Sequence, residues 1–255
     1  MGSIVNSTLR GTASELKSVI YNQHVLTLLL LLAAWLFVFN ETLYVTYQTW
    51  SQSDTYSHGF IIPVLSLYYL WLVRHEIEIQ RYKPNFLALI PLLGLVCLWY
   101  IGSLAYVNIV QQLSVFLMPL FVVLLFYGFE GIKKLAFPAI FLLFCVPLGE
   151  GLVPLLQQIT AEISVFFIKI MGIPVYVDGL YITLSSGVFE VAKACSGISY
   201  LIASTAMGSF FAFIVYKDIK KRFLFIIFAI SLPIIANGLR AWIIILLAHY
   251  SDMAI

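Results

Sequence analysis

Apolar residues run through this chain in long blocks separated by short polar stretches. Windows long enough, or nearly so, to cross about 30 Å of hydrocarbon fall at 24–40, 59–73, 86–104, 110–128, 131–149, 197–216 and 223–249. They predict an all-α polytopic integral membrane protein with seven transmembrane helices, organised as a single membrane domain over 1–255. The longest interruption, 150–196, divides in two. EGLVPLLQQITAEISVFFIKIMG sets Gln157, Gln158, Glu162 and Lys169 into an apolar background, which fits a helix lying in the membrane interface better than a span. PVYVDGLYITLSSGVFEVA is rich in β-branched and aromatic residues and carries turn signals at Asp178-Gly179 and Ser186-Gly187. It predicts short β-hairpin pieces outside the lipid.

Composition agrees with the blocks. Hydrophobic residues make up 62% of the 255 and charged residues only 10%, outside the range of a soluble domain of this length. The net charge of +2 is too small for a nucleic-acid surface, and no basic cluster is interleaved with aromatic residues. The distribution of charge matters more than its sum. With the N-terminus inside, 11 of the 14 basic residues fall on inner segments and only Lys169, Lys193 and Arg240 on outer ones. By the positive-inside rule the 150–196 insert is then extracytoplasmic. The opening MGSIVNSTLRGTASELKSVI has no short apolar core followed by a small-residue cleavage site, and reads as an uncleaved, partly amphipathic cytoplasmic tail.

Three cysteines are present without CxxC or Cys/His metal spacing, so no disulfide framework, metal site or cofactor is indicated. Cys97 and Cys145 lie inside apolar runs, where a thiol serves as a small buried hydrophobe. Cys195 differs, because VAKACSGISYL gathers a cysteine, two serines and a glycine at the start of the sixth span. A first-turn cysteine there would meet unpaired backbone N–H groups that favour an anion. Simple helix capping and packing fits the same residues equally well.

Arg240 interrupts the apolar run SLPIIANGLRAWIIILLAHY. An arginine within a span is costly unless it faces a polar cavity or partner, although snorkelling to the outer headgroups is the plainer alternative. Counted from Phe223 at 1.5 Å per residue it lies about 25 Å along the helix, on the side from which Cys195 enters. Asn237, three residues earlier, shares its face. His58, before the second span, is an outer-side histidine able to titrate near neutral pH or simply to cap a helix. His249 lies two and a half turns beyond Arg240 on another face, and His24 and His75 fall on the inner side. Glu190 and Lys193, which flank the cysteine, read as solvated charges.

YSHGFIIPVLSLYYLW, FEVAKACSGISYL and PIIANGLRAWIIILLAHYSDM together resemble the exosortases, of the exosortase/archaeosortase group of membrane transpeptidases, and the exosortase A type most closely. The resemblance implies eight transmembrane helices and a cysteine-dependent protease or transpeptidase of the bacterial inner membrane. Its substrates would be secreted proteins ending in a Pro-Glu-Pro sorting signal, one transmembrane helix and a basic cluster. Such enzymes accompany exopolysaccharide production. Carried over by motif, Cys195 is the nucleophile and Arg240 the arginine that stabilises the thiolate or oxyanion, with His58, Asn237 and His249 as supporting candidates.

The family completes its set with a histidine in an Asp-His motif that opens a final span shortly beyond the SDM. The sequence ends at Ile255 before that point, so the 255-residue chain is expected to be inactive or severely impaired. The implied partners are the signal-bearing proteins, the lipid bilayer and an acceptor of unknown identity. Two rivals stand beside this reading. One is a noncatalytic subunit or transporter component of a polysaccharide export system, which also uses a buried Arg with an Asn. The other is a sugar acyltransferase, which would use an intramembrane histidine.

Overall fold

The structure, a computed structural model, describes residues 26–27, 29–74 and 83–251. The N-terminal tail, His24, His75 and the SDM residues after Ser251 lie outside the described residues. Its helices are α1 (Leu29–Val38), α2 (Asn40–Gln52), α3 (Ile61–Val73), α4 (Leu89–Leu104), α5 (Asn108–Phe141), α6 (Val153–Ile170), α7 (Ile198–Val215) and α8 (Ile219–Tyr250). Five helical stretches among the described residues are long and apolar enough to cross a membrane, or six if α1 and α2, bent by 77°, form one span. The protein is thus an all-α polytopic membrane protein carrying one small sheet.

The chain forms two compact units, Met1–Tyr47 with Val73–Lys134, and Gln48–Leu72 with Leu135–Ile255. In the first, Phe39, Leu95, Val115 and Met118 make a buried cluster lined by Trp35 and Trp99. A polar chain runs beside it: Trp99 Nε1 donates to Thr42 Oγ1 at 2.9 Å, and Thr42 donates to Gln111 Oε1 at 3.3 Å. The sequence separates 110–128 from 131–149, and α5 instead runs through that boundary with one break at Gly128 (φ 60°). A Cβ at Gly128 would strike the Lys83 carbonyl, so only glycine fits this left-handed turn.

In the second unit α7 and α8 form an antiparallel pair. Gly208 packs against Ala229, Ser204 Oγ donates to the Ala229 carbonyl at 2.7 Å, and Ile198 and Leu201 meet Ile234. Small residues let the two backbones approach closely, as helix pairs in lipid require. The first half of the 150–196 insert, α6, meets the length and composition of a span and lies along α8. Their contacts rise together: Thr160 with Asn237, Ile163 with Gly238 and Phe167 with Trp242, while Ile168 and Ile245 share one buried cluster. So α6 runs parallel to the C-terminal half of α8 and touches it on one buried face, Leu156-Thr160-Ser164-Ile168.

The second half of the insert is an antiparallel sheet ordered β1 (Tyr176–Asp178), β2 (Tyr181–Leu184), β3 (Gly187–Glu190). Asp178 pairs with Tyr181 and Leu184 with Gly187, so two-residue turns close both hairpins where the sequence signals them. Alternation along β2 buries Ile182 and Leu184 against Ala161, Val165 and Ile168 of α6 and Ile245 of α8. A helix of 32 residues is about 48 Å long, against about 30 Å of hydrocarbon. Asn237 lies about 27 Å along it, and the parallel helix and the sheet are gathered around its C-terminal half.

Candidate active site

Cys195 sits in a four-residue 3₁₀ turn, Lys193–Ser196, where its own N–H donates to the Ala192 carbonyl at 2.8 Å. Gly197 then takes up a left-handed conformation (φ 73°) and α7 begins at Ile198. Cys195 thus lies in the 3₁₀ turn that opens the apolar stretch Lys193–Val215, ahead of α7 itself. The left-handed glycine marks the break between that turn and the α-helix. The side chain of Cys195 is exposed.

Asn237 fastens that turn to α8. Its buried amide nitrogen donates to the Cys195 carbonyl at 2.7 Å and to Thr160 Oγ1 at 2.9 Å, so three elements meet at one side chain. Thr160 is itself anchored by donating to the Leu156 carbonyl at 2.8 Å. Gly197 makes the approach feasible, because a Cβ there would lie 2.6 Å from the Asn237 side chain. Arg240 follows Asn237 by three residues and projects from the same face of α8. Its Nη1 donates to the Tyr200 hydroxyl at 3.2 Å, and the guanidinium carbon stands 5.8 Å from the centre of the Tyr200 ring. Both side chains are exposed.

Glu150 reaches the same turn from the segment before α6, with a carboxylate oxygen 3.5 Å from Lys193 Nζ. The loop ahead of α3 contributes from another direction. Thr55 Oγ1 and Ser199 Oγ are 3.1 Å apart, and His58 Nδ1 lies 3.1 Å from the Thr55 carbonyl. Beside it, burial and then the Glu150 carboxylate push the Tyr56 phenol above its ordinary pKa, which keeps it neutral. His58 thus stands on a loop that touches the first turn of α7, with one ring nitrogen committed to that loop.

His249 is elsewhere. Its Nδ1 is 2.7 Å from Ser186 Oγ, on the β2–β3 turn, and nine residues of helix put it about 13 Å along α8 from Arg240. Cys145 is buried, and Cys97 is exposed on α4. Of the residues singled out in the sequence, the fold joins Asn237 to the Cys195 turn, sets Arg240 three residues beyond Asn237 and against Tyr200, holds His58 at the neighbouring loop and leaves His249 on the sheet. Sequence reasoning missed Tyr200, Thr160 and Glu150. Tyr200 carried the clearest signal, as an aromatic with a polar tip one turn into the helix that follows the cysteine motif.

Chemically, the arrangement offers a thiol on a pinned turn, a cation on the adjoining helix and a phenol against that cation. Among the described residues no group of three or more His, Cys, Asp or Glu side chains is placed to hold a metal ion. Searches of curated proteins and of solved structures returned no match. The family described as transmembrane exosortase matches residues 50–255, from the end of α2 through the cysteine turn and α8. The chain therefore belongs to the transmembrane exosortase family.

Proposed function

We propose that this protein is a membrane cysteine peptidase or transpeptidase that cleaves the C-terminal Pro-Glu-Pro sorting signal of secreted proteins, in a bacterial inner membrane engaged in exopolysaccharide production. One observation carries the reading: Asn237 holds the Cys195 carbonyl at 2.7 Å and stands three residues before Arg240. That bond ties the turn with the proposed nucleophile to the helix with the proposed cation. Charge supports the side of the membrane in this reading. Lys220, Lys221 and Arg222 at the start of α8 favour an inner position for that end by the positive-inside rule, which gives the site, about 27 Å along the helix, an outer, periplasmic side.

In the proposed reaction the Cys195 thiolate attacks the scissile carbonyl carbon. The carbonyl π pair moves to oxygen, and the guanidinium of Arg240 stabilises that negative charge in a low-dielectric setting. Collapse of the tetrahedral species expels the amine of the downstream segment, which takes a proton from a general acid, and leaves a thioester on sulfur. Among the described histidines, His58 is the one whose loop contacts α7. Water or an acceptor amine then attacks the thioester and restores the thiol.

The test is co-expression of the full-length protein with a tagged substrate bearing the signal, followed by its change in length. Processing that disappears in Cys195→Ala and falls in Arg240→Met supports the assignment. Processing that persists in Cys195→Ala, with normal processing by the unsubstituted protein, overturns it and favours a noncatalytic export subunit.

A further inference from the structure

An exposed arginine samples many rotamers, and a cation that serves a reaction must be aimed. Among the described residues both contacts that hold Arg240 are made by Tyr200: the 3.2 Å hydrogen bond to its hydroxyl and the ring face 5.8 Å from the guanidinium carbon. Tyr200 in turn is placed by the cysteine's own surroundings. It lies three residues after Gly197, the left-handed residue that joins the Cys195 turn to α7, and next to Ser199, which contacts Thr55. The start of α7 therefore sets both the thiol and the group that orients the cation.

We propose that Tyr200 is a positioning residue, which fixes the guanidinium so that its remaining N–H groups face the negative charge formed at Cys195. This rests on the roles given above to Cys195 and Arg240. The chemistry of the partner matters as much as its place. Guanidinium has five N–H donors, and the phenol oxygen engages one of them, leaving four for an anion. A carboxylate in that position would hold the arginine as firmly and cancel its charge. A neutral acceptor with an aromatic face orients the cation while leaving its field intact.

The experiment measures how fast iodoacetamide alkylates Cys195 in the full-length protein in detergent at one fixed pH, read by mass spectrometry of the peptide that carries it. Because the thiolate is the reacting form, the rate reports the cation's field at sulfur without needing a substrate. Arg240→Met should slow alkylation about tenfold and Tyr200→Phe, which keeps the ring, about threefold. The double variant should be no slower than Arg240→Met alone, since Tyr200 acts through Arg240. Tyr200→Glu should match Arg240→Met. With substrate, Tyr200→Phe should lower kcat and leave KM unchanged. A wild-type rate in Tyr200→Phe, or losses that add in the double variant, overturns the role of Tyr200 while leaving that of Arg240. An unchanged rate in Arg240→Met overturns both, and processing by Cys195→Ala separately reports the nucleophile.

Discussion

Leu142–Cys145 and Lys193–Ser196 are both four-residue 3₁₀ turns, and in each the cysteine carbonyl accepts a hydrogen bond from a side chain of another element. Trp50 Nε1 donates to Cys145 at 2.9 Å and Asn237 Nδ2 to Cys195 at 2.7 Å. In each case the donor is packed against a glycine, Gly59 under the Trp50 ring and Gly197 under Asn237, where a Cβ would collide. The thiols fare differently. Cys145 is buried, while Cys195 is exposed beside Lys193 and one turn before Tyr200. Pinning a carbonyl is thus a general way to hold a cysteine turn in this fold. What distinguishes the Cys195 turn is its access.

The sharpest way to break the comparison is to exchange each thiol for a methyl group. Cys195→Ala should reduce processing of a signal-bearing substrate by at least about 1000-fold. Cys145→Ala should leave processing within about threefold and cost about 1 kcal/mol of stability through a small cavity. Equal losses of processing would dissolve the distinction between the turns.

The glycines come next. Gly197→Ala must hold φ 73° with a side chain, which costs about 1–2 kcal/mol before Asn237 is displaced. Gly59→Ala meets only the Trp50 ring. Thermal unfolding in detergent should fall in both, and processing should fall about tenfold or more only in Gly197→Ala. Unimpaired processing in Gly197→Ala would mean that the turn need not be held.

The pins themselves separate by number of bonds. Asn237→Ala strips a donor from two acceptors and should cost about 2–3 kcal/mol, whereas Trp50→Phe strips one and should cost about 1 kcal/mol. Denaturant unfolding measures the difference, and equal costs would count against Thr160 as a partner. The smallest effect belongs to Lys193→Gln. The Lys193–Glu150 pair is well exposed, so its loss should cost at most about 1 kcal/mol and matter less as salt rises. A tenfold loss of processing would show that Lys193 serves the cysteine rather than Glu150.

The spans were legible because a hydrocarbon slab selects long apolar runs regardless of how helices pack. The hairpins were legible because Asp178-Gly179 and Ser186-Gly187 punctuate a β-branched stretch. Arg240 stood out as a charge where apolar residues are the rule, and Cys195 through the serines and glycine gathered around it at the start of a span. What stayed hidden depends on register between distant segments. Nothing near Tyr200 says that α7 and α8 will set it beside Arg240. The polar residues Gln157, Gln158, Glu162 and Lys169 give no sign that Thr160 and Ser164 satisfy their hydroxyls on α6's own carbonyls at 2.8 Å and face α8. The position of Cys195 before the helix, rather than in it, turned on the conformation of one glycine.

Asn237 carries a further consequence at the scale of one atom. Both groups it meets are acceptors, because Thr160 has already committed its hydrogen to the Leu156 carbonyl. An aspartate has nearly the same shape and would present oxygen where nitrogen stands, turning two attractions into two repulsions against a buried charge. The site therefore distinguishes amide from acid by donor polarity alone. An exchange that most surface positions would ignore is, at this one, the difference between a closed cysteine turn and an open one.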